Sequence, residues 1–193
     1  GIDNGPSIIK LNNETALVFY SNTSSWLSTL LRRPPIRRLG ILKVRIRGTS
    51  MSKIEVHRFP ANPLKYFNGS KGSWNESLFC PGYAQIQGAH YLFPAASTYS
   101  TRFPYRQYIG ITSSNSPFFR ENVSHLKKLM DGPSEKSLII PHIKSEIALD
   151  TPAPFWRAEE GKLFLYYSVM DRADGIWKIA LTTFDASAFQ GSF

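Results

Sequence analysis

The chain has 193 residues, of which 42% are hydrophobic and 13% aromatic, and its formal net charge is +9. This length and apolar content suffice for one domain with a buried core and exclude a disordered chain. No apolar run approaches the ~20 residues that a membrane helix needs, and the first residues lack a signal-peptide pattern. A single cysteine, Cys80, rules out an intrachain disulfide and is expected to be a small buried apolar residue.

Short alternating runs of apolar and polar residues, separated by turn residues, predict an all-β chain. In chain order, the predicted strands are residues 8–11, 16–20, 39–47, 53–59, 83–86, 89–94, 107–113, 138–143, 154–157, 162–168 and 177–184. One short amphipathic helix is a possibility over residues 123–130, which Gly132 and Pro133 would end.

A weak internal repeat divides this single domain into modules of about residues 1–67, 73–135 and 136–193. Each copy has a proline, a short apolar run, a turn and an aromatic-rich run that ends in serine: GPSIIKLNNETALVFYS, CPGYAQIQGAHYLFPAAS and TPAPFWRAEEGKLFLYYS. A period between a hairpin and a domain indicates stacked or radial sheets, because a lone four-stranded sheet cannot bury both faces. We expect the innermost strands to be opened by Pro6, Pro81 and Pro154.

The third copy carries a resemblance to a known family. Its segments APFW (residues 153–156), GKLFLYYS (161–168) and IAL (179–181) resemble a blade of the five-bladed β-propeller glycosidases. These comprise glycoside hydrolase family 43 and its fructosidase and mannoside-phosphorylase relatives. The resemblance implies propeller blades, a carbohydrate partner and catalytic carboxylates around a central channel, although a blade pattern specifies architecture more than reaction.

The positions at which the family carries its acids have lost their carboxylates. They are occupied here by Gly5, Gly82 and Phe155. Hydrolysis of a glycoside needs one carboxyl group to protonate the leaving oxygen and a second to activate water or attack. Each module has another acid just before its repeat, and we predict these as displaced catalytic candidates: Asp3, Glu76 and Asp150. The alternative is that Asp3 and Asp150 cap turns through their own backbone.

Aromatic residues on or beside the predicted inner strands are candidate sugar-binding groups. Flat apolar rings stack on sugars while polar groups fix the hydroxyls. The candidates for substrate binding are Trp74, Tyr83, Phe155 and Trp156. The alternative, which applies to most aromatic residues in such sheets, is packing between blades.

Asparagine sequons favour a secreted glycoprotein. Five of the nine asparagines stand in N-x-Ser/Thr sequences within predicted turns or loops: Asn13, Asn22, Asn68, Asn75 and Asn122. About one or two would be expected by chance. The alternative is a protein with polar loops and accidental sequons.

Positive charge is concentrated in one stretch, because eight of the 23 basic residues fall within residues 32–53. The candidate polyanion-binding residues there are Arg32, Arg33, Arg37 and Arg38. An acidic polysaccharide or a membrane surface fits a secreted protein better than nucleic acid, since the aromatic interleaving of RNA-binding strands is missing. The alternative is a solvated loop and edge strand that charge keeps soluble.

Searches for other chemistry find no short metal-ligand spacing, no nucleophile elbow and no phosphate-binding loop, so no metal or cofactor is predicted. Three modules do not close a ring, since propellers typically have 4 to 8 blades. Three arrangements stay open: a longer protein, a second chain that completes the propeller, and extra short blades within the loops. A homodimer is the working hypothesis.

Two functions follow from the sequence. The first is a carbohydrate-active protein of the propeller glycosidase type that acts on or recognises a glycan. The second is a non-catalytic secreted protein that binds a glycan or another polyanion.

Overall fold

The computed structural model describes residues 5–23, 36–46, 54–60, 62–64, 67–98, 107–120, 122–130, 146–171 and 175–189. Its strands are β1 (Ser7–Lys10), β2 (Thr15–Thr23), β3 (Arg37–Ile46), β4 (Ile54–Arg58), β5 (Ser77–Ile86), β6 (Ala89–Ser97), β7 (Gln107–Ser114), β8 (Lys127–Met130), β9 (Glu146–Arg157), β10 (Lys162–Asp171) and β11 (Trp177–Asp185). A 3-10 turn at Ala186–Phe189 follows β11. The described part of the chain contains no helix with the length and apolarity of a membrane span.

The strands form three antiparallel sheets, and each sheet uses strands that are consecutive in the chain. The orders are β1-β2-β3-β4, β5-β6-β7-β8 and β9-β10-β11. The all-β prediction with three sheet modules is confirmed, while the third sheet has three strands among the described residues rather than four. The predicted strand at residues 138–143 lies outside the described ranges.

The first strands of the three sheets lie next to each other, because β5 contacts both β1 and β9. The second sheet is therefore covered on both faces. Successive side chains of a strand point to opposite faces, so Leu92 packs toward the first sheet and Phe93 toward the third. Neither side chain is accessible to solvent. Burying one such side chain contributes about 1.5–3 kcal/mol.

Equivalent β-bulges in β5 and β9 set the register of the repeat. In each, two residues oppose a single residue of the next strand: Cys80-Pro81 in β5 and Thr151-Pro152 in β9. Pro152 therefore matches Pro81, and the predicted match of Pro154 is wrong by two residues. The prediction that Pro81 and Pro154 open their strands is also wrong, because both lie within strands that begin at Ser77 and Glu146. The segment TPAP holds two prolines, and only strand pairing shows which one occupies the bulge.

The short helix considered over residues 123–130 is wrong, because this segment is extended and ends in β8. Ser124 is tied to β7 by two hydrogen bonds: its carbonyl oxygen accepts from Thr112 Oγ1 at 2.7 Å, and its Oγ accepts from the Ser113 amide at 2.8 Å. Lys127 and Lys128 then pair with β7. Tertiary hydrogen bonds thus override a spacing of apolar residues that suits a helix.

The outward faces of the first and third sheets are apolar and exposed. On the third sheet the exposed large side chains include Phe155, Tyr166, Trp177, Ile179 and Leu181, and on the first they include Ile8 and Val56. Within the described residues these two faces lack the cover that both faces of the second sheet have.

Candidate functional site

A residue with a left-handed backbone stands directly before a proline just ahead of β1, within β5 and within β9. The φ angles are 73° at Gly5, 43° at Cys80 and 47° at Thr151. Glycine adopts such angles readily, whereas a β-branched threonine is a genuine outlier there. Backbone strain of this kind costs on the order of 1–3 kcal/mol and clusters at functional sites. The repeated bulge therefore marks the candidate site.

These bulges lie close to one another. A Cβ placed on Gly5 would stand 3.2 Å from the Cys80 Sγ, so the start of β1 touches the bulge of β5. The Cys80 thiol in turn donates a hydrogen bond to the Asp150 carboxylate at the bulge of β9. Residues from all three sheets thus meet around Asp150.

Asp150 is half-buried, and one of its carboxylate oxygens accepts a hydrogen bond from the Thr151 amide at 2.6 Å. Burial raises the pKa of Asp150; hydrogen bonds from Thr151 and Cys80 and the charge of Arg37 oppose that rise without cancelling it. Asp150 therefore keeps its proton to a higher pH than an aspartate in water. A general acid needs this property.

Cys80 is not a nucleophile in this environment. Burial, together with the neighbouring charge of Asp150, raises the pKa of Cys80 to about 12. The thiolate that would react is scarcely formed at neutral pH. The prediction that this cysteine is a small buried residue is confirmed by its 7% exposure.

The other two predicted acids are placed differently. Glu76 is buried, and its Oε2 accepts a hydrogen bond from the Gly72 amide at 2.8 Å, which closes the loop before β5. Asp3 lies outside the described residues. Of the two candidates that the structure describes, Asp150 is the one that lies where the three sheets meet.

The absence of an acid at position 82 has a steric reason. A Cβ on Gly82 would overlap the Pro152 carbonyl oxygen and stand 2.6 Å from the Pro154 Cδ. The strands β5 and β9 approach too closely there for any side chain. In the corrected register the residue of β9 that corresponds to Gly82 is Ala153, which is exposed and also lacks a carboxylate. Phe155, which the sequence had aligned with Gly82, lies on the exposed outer face of its sheet.

Tyr83 packs between the first and second sheets. Its ring stacks on Phe19 with centroids 5.9 Å apart, and its hydroxyl is hydrogen-bonded to His90 Nδ1 at 2.7 Å. Burial raises the pKa of Tyr83 to about 12. These contacts match the alternative of packing between blades.

The three other aromatic candidates are dispersed. Trp74 meets Tyr108 edge-on with ring centroids 6.2 Å apart. Trp156 packs, partly buried, against the core between the second and third sheets. Phe155 is 58% exposed. The structure does not gather these rings beside Asp150.

Arg37 belongs to the surroundings of Asp150, although the sequence placed it in a polyanion-binding stretch. Its guanidinium lies 5.1 Å from the centre of the Phe79 ring, and its charge acts on the Asp150 carboxyl. Arg38 follows in β3, and Arg32 and Arg33 lie outside the described residues. Sequence reasoning missed the relation of Arg37 to Asp150 because the residues are far apart in the chain.

The sequon asparagines fall into two groups. The Nδ2 of Asn68 donates to the Glu76 carbonyl oxygen at 2.8 Å, and the Nδ2 of Asn75 donates to the Phe67 carbonyl oxygen at 2.9 Å. These amides hold the loop before β5. By contrast Asn13 and Asn122 are exposed. Asn22 is half-buried in β2, so its predicted place in a turn or loop is wrong.

No cluster of three or more His, Cys, Asp or Glu side chains that would suit a metal ion occurs within the described ranges.

No protein-family model matches the sequence, and no curated protein matches it either. Solved structures do match. A family 117 glycoside hydrolase of Zobellia galactanivorans aligns with a TM-score of 0.53 at 12% identity, over 93% of this chain and 51% of that one. An alpha-L-arabinanase of Cellvibrio cellulosa aligns with a TM-score of 0.50 at 14% identity, over 92% and 52%.

A further structure described as a glycoside hydrolase aligns with a TM-score of 0.51 at 13% identity, over 87% of this chain and 40% of that one. The chain thus spans about half or less of the length of these structures. Likeness at such low identity concerns the fold, and at that level it agrees with the resemblance seen in the sequence. The three sheets are therefore blades of the β-propeller fold found in glycoside hydrolases.

Proposed function

We propose that the chain is a carbohydrate-active protein of the propeller glycosidase type, with Asp150 as the acid at its centre. One observation carries this proposal: a carboxyl group with a raised pKa stands at a strained bulge where residues from three blades meet. Strain and a perturbed pKa at the same place are typical of functional sites. The fold comparisons with glycoside hydrolases support the choice of a glycan as ligand.

In this proposal Asp150 donates a proton to the leaving oxygen of the glycosidic bond. Arg37 and the Thr151 amide then stabilise the carboxylate that forms. Hydrolysis needs a second carboxyl group to activate water or to attack the sugar. Asp3 is our candidate for that role, since it precedes Gly5 by two residues and Gly5 lies against Cys80.

The test is hydrolysis of a broad panel of glycosides and polysaccharides by the wild type, by Asp150→Asn and by Glu159→Gln. Glu159 is an exposed acid in the turn after β9, so its substitution is the matched control. Loss of a general acid lowers the rate by about 10²- to 10⁴-fold. We expect that loss for Asp150→Asn and none for Glu159→Gln; an unchanged rate in Asp150→Asn would contradict the assignment.

The second candidate is a non-catalytic protein that binds a glycan or another polyanion. The loss of the family acids at Gly5, Gly82 and Phe155 favours it, together with the net charge of +9. It predicts saturable binding on a glycan array without hydrolysis. It also predicts that affinity falls as salt rises, because counterions screen exposed charges.

We further propose that the protein is a secreted glycoprotein. The support is the number of sequons and the exposure of Asn13 and Asn122, which leaves room for a glycan at each.

We also propose that a second copy of the chain completes the ring. The outward faces of the first and third sheets support this, since both are apolar and exposed. In a head-to-tail dimer, the exposed face of the third sheet of each copy would pack on the exposed face of the first sheet of the other copy. The dimer would then have two such contacts. The resulting six sheets fall within the usual 4 to 8 blades of a propeller.

A further inference from the structure

A groove away from Asp150 combines positive charge with aromatic rings. It lies between β3 of the first sheet and the segment that follows β7, and its volume is about 360 Å³. Its lining residues are Lys43, Phe59, Ser116, Phe118 and Arg120. This volume falls within the ~300–1,000 Å³ typical of ligand pockets.

Two aromatic rings form an apolar wall of the groove. Phe59 and Phe118 meet edge-to-face, with centroids 5.6 Å apart and an angle of 70° between the planes. The Arg120 guanidinium sits 4.5 Å from the centre of the Phe59 ring. A guanidinium held against a ring is oriented in advance, while the N–H groups at its edge stay free to bind an anion.

The charges in this groove are not neutralised by carboxylates of the described residues. Neither Lys43 nor Arg120 belongs to an ion pair among the described residues. The pairs in that part of the chain join Arg45 to Glu14, His57 to Glu55, and Arg157 to Glu159 and Glu160. The hydroxyl of Ser116 adds a small polar donor, with its oxygen accepting from the Phe118 amide at 3.3 Å. The groove thus offers two cations, one hydroxyl and two rings.

We propose that this groove binds an anionic sugar residue, a uronate or a sulfated pyranose, as a site separate from Asp150. The cations bind the carboxylate or sulfate, and the rings contact the apolar face of the pyranose. The inference rests on the proposed function, because the ligand is chosen from the carbohydrates. With this groove, the proposed substrate is an acidic glycan that contacts the protein both at Asp150 and in the groove.

The experiment is titration calorimetry with tetragalacturonate and with a sulfated heparin tetrasaccharide, at low and at moderate salt. Fully methyl-esterified tetragalacturonate is the uncharged control ligand. Lys43→Ala/Arg120→Ala removes the two groove cations, whereas Lys10→Ala/Lys162→Ala removes two exposed cations elsewhere and matches the change in net charge. Thermal melts confirm that each variant is folded.

We expect at least one acidic tetrasaccharide to bind and the neutral ester to bind at least tenfold more weakly, the effect of about one charge-assisted contact. The groove double variant should lose at least tenfold in affinity, with the control variant unchanged. Preference for one acidic ligand identifies carboxylate or sulfate as the source of the anion. Asp150→Asn should retain the binding, because the groove does not include Asp150.

Two results overturn the proposal. The first is that the groove variant and the control variant bind the acidic ligand with the same affinity. The second is that neither acidic ligand binds to the wild type. If binding is lost in Asp150→Asn and kept in the groove variant, the groove is excluded and the proposed glycan site at Asp150 stands. If neither hydrolysis nor glycan binding occurs anywhere on the panel, the proposed function itself fails.

Discussion

Asp150 links the stability of this protein to pH. Burial raises its pKa in the folded state, so the protonated carboxyl group destabilises the fold less than the charged one does. Stability is therefore fully present below the pKa of an unfolded aspartate and is lost as pH rises through the higher folded pKa. At neutral pH the charged form of Asp150 destabilises the fold.

Replacing Asp150 with asparagine removes that cost. We expect Asp150→Asn to melt above the wild type at pH 7, because asparagine carries no charge that burial disfavours. The difference should vanish near pH 3, where both side chains are neutral. For Glu159→Gln we expect the opposite, a lower melting temperature at pH 7. A hydrogen bond with its own backbone and one from Arg157 lower the pKa of Glu159, so its charged form is favoured in the folded state. Melting curves across pH check both, and a less stable Asp150→Asn at pH 7 would contradict the argument.

The sequon asparagines give a second prediction at this scale. Expression through a eukaryotic secretory pathway should place glycans on Asn13 and Asn122, which are exposed. Asn68 and Asn75 should stay unmodified in the folded product, because their Nδ2 atoms already donate hydrogen bonds to backbone carbonyls. Glycopeptide mass spectrometry measures the occupancy of each site. Full occupancy of Asn68 in folded protein would refute this description of the loop.

Close approach of β5 and β9 gives a prediction at the scale of elements. Gly82→Ala should destabilise the fold by about 3 kcal/mol, since the added methyl group overlaps the backbone of Pro152. Gly161→Ala is the comparison, because its left-handed φ of 60° strains an alanine whereas its Cβ would find nothing nearer than 4.0 Å. That substitution should cost only about 1 kcal/mol. Urea denaturation measures both, and equal losses would argue against the clash.

The sequence predicted the class, the hairpins and the number of sheets, because alternation and turn residues are local signals. It misaligned the third repeat, since the choice between Pro152 and Pro154 depends on pairing with β10. It also allowed a short helix where β8 pairs with β7. The grouping of Cys80, Asp150 and Arg37 was out of reach for a further reason: it arises only when three sheets are placed side by side.

At the scale of the whole molecule, the two outward faces predict self-association. Sedimentation velocity at micromolar concentration should show a dimer for the wild type. Ile179→Lys on the third sheet and Ile8→Lys on the first should each give a monomer, since a buried lysine disrupts an apolar interface. Leu11→Lys adds the same charge in a turn and should leave the dimer intact. A monomeric wild type would contradict the proposal that a second copy closes the ring.

The second sheet, covered on both faces, should also differ from its neighbours in how its backbone exchanges with deuterated water. Amide protons exchange when the local structure opens, and the slowest ones report the global unfolding free energy. The strand β6, with Leu92 on one side and Phe93 on the other, is paired on both edges and shielded on both faces. Its amides should be the last to exchange. Those of β4 and β11, which lie at the outer edges of the sheets that the structure describes, should exchange first.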